Sequence, residues 1–184
     1  MTEVFQKFKN SLRHIEDFAP LALRLLLAYV FYQTGIEKLS SIDGTAYWFE
    51  SLGIPFPTLN AYMAMLTEVT GVLLLTIGLG TRIISIPLLV VLLVAMLTVH
   101  LDNGWLVIGS SLNDPEIANR VSRAKDILKE YGNWDWLSAK GTFVILQNGF
   151  ENVVTYMAML LTLLVYGPGK FSVDALIEAK IKKK

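Results

Sequence analysis

The sequence predicts an all-α integral membrane protein: a four-transmembrane-helix bundle, with short interfacial helices at both ends of the chain and an amphipathic helix between spans three and four. Three observations carry this. Hydrophobic residues make up 53% of the 184 residues and charged residues only 17%, where an ordinary soluble domain is about a quarter charged. The apolar residues fall in runs near the roughly 20 residues that a helix needs to cross a hydrocarbon core of about 30 Å. The few polar residues inside those runs recur at helical spacing.

The elements follow in order. Over residues 1–17, Val4, Phe5, Phe8, Leu12 and Ile15 share one helical face, as in a helix lying on a membrane surface. Glu16 and Asp17 stand where the basic region of a cleavable signal would end, and no small-residue cleavage site follows. The first span covers residues 18–39, with Arg24 inside it; the second covers 59–79, with Glu68 near its middle. The third covers 83–101 and carries no charge before His100. Gly80, Thr81 and Arg82 alone join spans two and three, which forces an antiparallel hairpin.

The connection over residues 102–141 is too long to be structureless. After the turn at Asn113, Asp114 and Pro115, apolar Ile117, Val121, Ala124, Leu128 and Tyr131 recur at helical spacing. Trp105, Trp134 and Trp136 suit a membrane–water boundary, where an indole buries its ring and still donates its N–H. The fourth span is expected over residues 142–166 and carries Glu151. Gly167, Pro168 and Gly169 stop it. Ser172 then caps a basic interfacial helix over residues 172–184, whose lysines meet anionic headgroups. Basic residues cluster before span one, at Arg82 and after span four, so both termini are expected to face the cytoplasm.

Composition also excludes chemistry. Sixteen basic and sixteen acidic residues leave no net field to gather nucleic acid. Without cysteine there is no disulfide, thiol relay or iron–sulfur centre.

An ionisable group in hydrocarbon costs about 2.5–3.5 kcal/mol on insertion scales, so it survives where it pairs, faces water or does a job. Gln147, Asn148, Glu151, Asn152 and Thr155 would form one polar stripe on span four. Span one carries Gln33, Glu37 and Lys38, span two carries Glu68, and span three ends at His100. Glu68, Glu151 and His100 are the candidate catalytic, proton-exchanging groups, because a carboxylate in a low-dielectric site gains proton affinity and histidine titrates near neutrality. Arg24, Gln33, Glu37, Lys38, Gln147, Asn148 and Asn152 are the candidate ligand-binding residues. Arg24 can snorkel to the membrane edge or reach toward Glu68. The bland reading is that such pairs and amides only fix helix register. The sequence assigns no metal site.

Three stretches resemble the DoxX family of small bacterial membrane proteins. Span one has Arg24, Gly35 and Lys38; span two has Glu68, Gly71 and the link Gly78, Leu79, Thr81, Arg82; the close has Gly167, Pro168, Gly169, Ser172 and Asp174. The stretch HLDNGWLVI, the long insert and FVILQNGFENVVTYMAMLLTLL resemble the longer HvfX-type branch, whose members are encoded beside copper-responsive or peptide-modifying systems. The resemblance implies a four-helix membrane bundle and relatives tied to quinone-coupled thiosulfate oxidation, membrane redox complexes or oxidative-stress defence. The expected function is a membrane redox component holding a quinone-type ligand, with a membrane or periplasmic redox partner protein. Two alternatives stand beside it: a non-enzymatic scaffold for a membrane or exported partner, and a proton-coupled carrier of a small solute or metal, which four spans would serve best as a homo-oligomer.

Overall fold

A computed structural model describes Gln6, residues 15–110, Leu112 and residues 114–183. The interfacial helix expected over residues 1–17 lies outside the described residues, Gln6 and residues 15–17 apart. The chain forms two compact units, one of residues 1–94 with 155–184 and one of residues 95–154.

In the first unit, α1 (Phe18–Ser40) carries one buried stripe of Arg24, Leu27, Ala28, Phe31 and Gly35. A short helix α2 (Ile42–Ser51) follows it. Helix α3 (Pro57–Ile77) starts with proline in its first turn, where the missing N–H costs nothing. It ends at Gly78, whose φ of 70° suits glycine and whose N–H closes on the Leu74 carbonyl at 2.8 Å. Arg24 meets the end of α3 and Gly35 meets its middle, so α1 and α3 run antiparallel. Helix α4 (Thr81–Ala95) turns back after the Gly78–Gly80 link. A Cβ on Gly71 would come within 3.0 Å of the buried Leu88 side chain, so α3 and α4 pack at close range.

Three helices among the described residues are long and apolar enough to cross a membrane: Phe18–Ser40, Pro57–Ile77, and Thr81–Asn103, in which α4 continues through a π turn at Met96–His100 and a 3-10 turn at Leu101–Asn103. The fourth span expected over residues 142–166 is not among them. Only α7 (Glu151–Tyr166) is helical there, with 16 residues, or about 24 Å of rise against a core of about 30 Å. The four-span bundle is therefore corrected to an all-α membrane protein with three apolar spans.

The reason lies in residues 142–150. Thr142, Phe143, Val144 and Ile145 are β-branched or aromatic and favour extended backbone as readily as helix. In the second unit this segment pairs through its backbone with residues 104–109. Gly109 N–H donates to Ile145 O at 2.9 Å, Gln147 N–H to Val107 O at 2.9 Å, and Phe150 N–H to Gly104 O at 3.0 Å. Gly149 makes the approach possible, since any Cβ there would collide with the Gly104, Trp105 and Leu106 backbone. The same unit holds α5 (Pro115–Tyr131), capped by the Asp114 carboxylate, which accepts from the Glu116 and Ile117 N–H groups, and the short α6 (Trp134–Ser138). Trp105 meets Phe150 edge-on at 5.1 Å between centroids, while Trp136 is exposed.

Candidate functional site

Lys38 and Glu68 form an ion pair between two spans. Lys38 Nζ donates to Glu68 Oε2 at 3.0 Å and to the Thr34 carbonyl at 3.3 Å. The Glu68 side chain is 3% exposed and that of Lys38 16%. Helix geometry explains the reach. Side chains tilt toward the N-terminus of their own helix, so Lys38, near the end of α1, bends back over Thr34 to the depth of Glu68. Gly35 clears the space, because its Cα faces Glu68 and Val69 so closely that a Cβ would sit 3.4 Å from Glu68 Cβ. The arrangement puts an ammonium donor and a carboxylate acceptor between two membrane-spanning helices.

Arg24 does not reach Glu68. Its guanidinium is fully buried and caps the far end of α3, donating to the Leu75 carbonyl at 3.1 Å, to that of Thr76 at 3.5 Å, and to that of Phe171. The carboxylate of Asp174 accepts from the Gly80 N–H at 2.8 Å and the Thr81 N–H at 3.1 Å, where the positive end of the α4 dipole favours an anion. Asp174 N–H in turn donates to Gly78 O at 3.0 Å. Ser172 Oγ accepts from the Ala175 N–H and so caps α8 (Val173–Ile181). These residues clamp the hairpin link to the segment after α7 mainly through backbone partners, while Arg24 Nε and Thr81 Oγ1 stay buried without a hydrogen-bond partner among the described residues.

In the second unit, His100 Nδ1 lies 2.9 Å from the carbonyl of Asn148. A carbonyl only accepts, so in the neutral ring Nδ1 carries the proton and Nε2 the lone pair. Asn148 holds a left-handed φ of 59°. Gln147 donates to the Asn103 carbonyl at 2.9 Å, and Glu151 accepts from the Val107 N–H at 3.4 Å. Gln147 and Asn148 precede α7, so the polar stripe expected on a fourth span is broken: only Glu151, Asn152 and Thr155 are helical. Asn152 is exposed, as are Gln33 and Glu37 on the side of α1 turned away from α3. Among the described residues no group of three or more His, Asp or Glu could hold a metal.

Residues 19–101 match the DoxX family. A Bacillus subtilis protein named putative oxidoreductase CatD is 32% identical over 46% of this chain and 62% of its own length. The Escherichia coli inner membrane protein YphA is 33% identical over 42% of this chain and 59% of its own length. The chain thus spans about three-fifths of these two relatives. An uncharacterized Haemophilus influenzae protein is 26% identical over 86% of this chain and 82% of its own length. No solved structure matches. The DoxX segment contains both partners of the ion pair and the whole Gly78–Arg82 link. Thr34, Asp174 and Asn103 were missed as partners by sequence reasoning: Thr34 acts through its main-chain carbonyl, which no side-chain pattern signals, Asn103 acts through its carbonyl and through Nδ2, which donates to the Val99 and Asn148 carbonyls, and Asp174 stood in the family's closing motif.

Proposed function

We propose that this chain is the membrane component of a redox system and that the Lys38–Glu68 pair receives the polar head of an apolar carrier of the quinone type. The observation that supports it is a carboxylate 3% exposed, paired at 3.0 Å with a lysine between two spans. Intramembrane ionisable groups of this kind mark substrate and proton pathways by default. A relative whose name reads putative oxidoreductase supports the reaction class.

Reduction of a quinone to its quinol takes up two electrons and two protons. The electrons come from a partner oxidoreductase protein. Lys38 donates a hydrogen bond to the carrier's carbonyl oxygen, and Glu68 passes protons to it. Glu151 and His100 are proposed as proton-exchanging groups of the second unit. The Asn148 carbonyl fixes the His100 tautomer for that role. We place the chain in the longer HvfX-like branch on the stretch HLDNGWLVI, the long insert and FVILQNGFENVVTYMAMLLTLL.

The proposed location is the bacterial inner membrane. Asp17 and Lys170 meet at 2.8 Å, so the entry to α1 and the exit from α7 share one end of the first unit. That end also carries Arg82, Lys180, Lys182 and Lys183, which by the basic-residue bias is the cytoplasmic one.

Titrating a short-tailed quinone into the full chain in nanodiscs tests the site. Saturable, one-to-one binding weakened at least about tenfold by Glu68→Gln and by Lys38→Gln supports it, since one lost charge-assisted bond in a dry site is worth about 1.5–3 kcal/mol. Partitioning identical in all three proteins rejects it.

A further inference from the structure

Helix α1 has two stripes. Arg24, Ala28, Phe31 and Gly35 are buried within the first unit. On the opposite side, Ala22, Leu26, Tyr29, Gln33, Ile36 and Ser40 follow one another in alternating steps of four and three, and all six are exposed. That alternation places the six on one face of α1, the face along which a second helix would pack.

The seam is not suited to lipid. Tyr29 lies about 16 Å along the helix from Phe18 and Gln33 about 22 Å, so both fall inside a core about 30 Å deep. Tyr29 is 64% exposed, and neither its hydroxyl nor the Gln33 amide has a hydrogen-bond partner among the described residues. In hydrocarbon a hydroxyl or amide without a partner is unfavourable, and such groups turn toward another helix. Glu37 differs. It is three residues from the helix end, at headgroup depth, where water serves it.

We infer that the α1 seam is the interface of a homodimer, in which two copies of α1 pack in parallel about a twofold axis along the membrane normal. The argument for a second copy is self-complementarity. In a parallel twofold pair each seam residue meets its own counterpart. An amide carries both donor and acceptor, so Gln33 of one copy satisfies Gln33 of the other reciprocally, and of two facing Tyr29 hydroxyls one donates to the other. Apart from them the central seam is Ala22, Leu26 and Ile36, with no charge to repel its image. The inference is independent of the Lys38–Glu68 reading, since that pair lies on the other side of the helix.

The chain has no cysteine, so single introduced cysteines report without background. In native membrane vesicles, full-length Leu26→Cys, Tyr29→Cys, Gln33→Cys and Ile36→Cys should each give an oxidised dimer. Tyr32→Cys and Leu39→Cys, exposed but off the seam, should give at most a trace. Gln33→Leu keeps the surface apolar and so should fold; in bilayers it should lower the self-association constant about three- to thirty-fold, the range for one interhelical polar contact in a membrane. Cross-linking that is uniform around the helix, a chain that stays monomeric at high protein-to-lipid ratio, or a different protein held on the seam in place of the second copy would each overturn the homodimer.

Discussion

At the scale of single residues, the ion pair and the buried arginine behave differently when cut. Removing one partner of a buried pair leaves an uncompensated charge and costs about 3–5 kcal/mol, whereas replacing both with apolar residues is near neutral. Glu68→Gln and Lys38→Gln should therefore each lower the unfolding midpoint in detergent, and Lys38→Met with Glu68→Leu should recover most of it. A double variant as unstable as the sum of the singles contradicts the pairing. Arg24→Met strands the Leu75, Thr76 and Phe171 carbonyls, each worth about 1–3 kcal/mol if left dry. It should destabilise the first unit more than Asp174→Ala does, where a lost helix cap costs about 0.5–2 kcal/mol; a urea midpoint in mild detergent ranks the two. Much of this was legible in the sequence. A lysine and a glutamate inside spans had to find partners, and they found each other. Arg24 was legible as a charge inside a span that would snorkel to the membrane edge or reach Glu68, but not as a buried cap, because its acceptors are main-chain carbonyls brought near only by the hairpin.

At the scale of elements, α1, α3 and α4 follow hydrophobic runs and punctuation that the chain spells out: Pro57 opens α3, Gly78 closes it, and Asp114 with Pro115 opens α5. Residues 142–150 were not legible as extended backbone, since an apolar β-branched run reads alike in a strand and in a buried helix; what decides is the pairing with residues 104–109. Single cysteines test this directly. Val144→Cys should react with a membrane-impermeant maleimide, while Val90→Cys in the third span should not. Equal protection of both would restore helix across residues 142–150. The joint between the start of α1 and the segment after α7 carries a pH prediction. The Lys170 side chain, and then its backbone N–H, hold the Asp17 carboxyl below the ordinary carboxylate range, and Asp17 in turn raises the Lys170 ammonium. The Asp17 share is present above its unfolded pKa and lost as pH falls through the lowered one. The Lys170 share is present below its unfolded pKa and lost as pH rises through the raised one. The contact should hold between about pH 4 and pH 10 and loosen on either side, read as faster amide exchange over residues 167–172. Asp17→Asn should flatten that profile.

At the scale of the whole molecule, two of the three apolar spans bring one carboxylate and one lysine together in a chain with no cysteine. On the proposed redox reading, the electrons come from a partner protein and are carried by a bound quinone-type molecule, and the chain's own part is to bind, orient and move protons. The family and the spans were legible because they rest on motif and length. The number of spans was not, because apolar length alone does not say which backbone a segment adopts. The most direct test is mass spectrometry of the small molecules extracted from the full chain purified in mild detergent, compared with Lys38→Met/Glu68→Leu prepared in parallel. A quinone-type lipid present near one per chain in the parent and lost in the folded double variant is the predicted result. An equal amount in both, or none in either, would contradict the Lys38–Glu68 pair as the carrier's binding site.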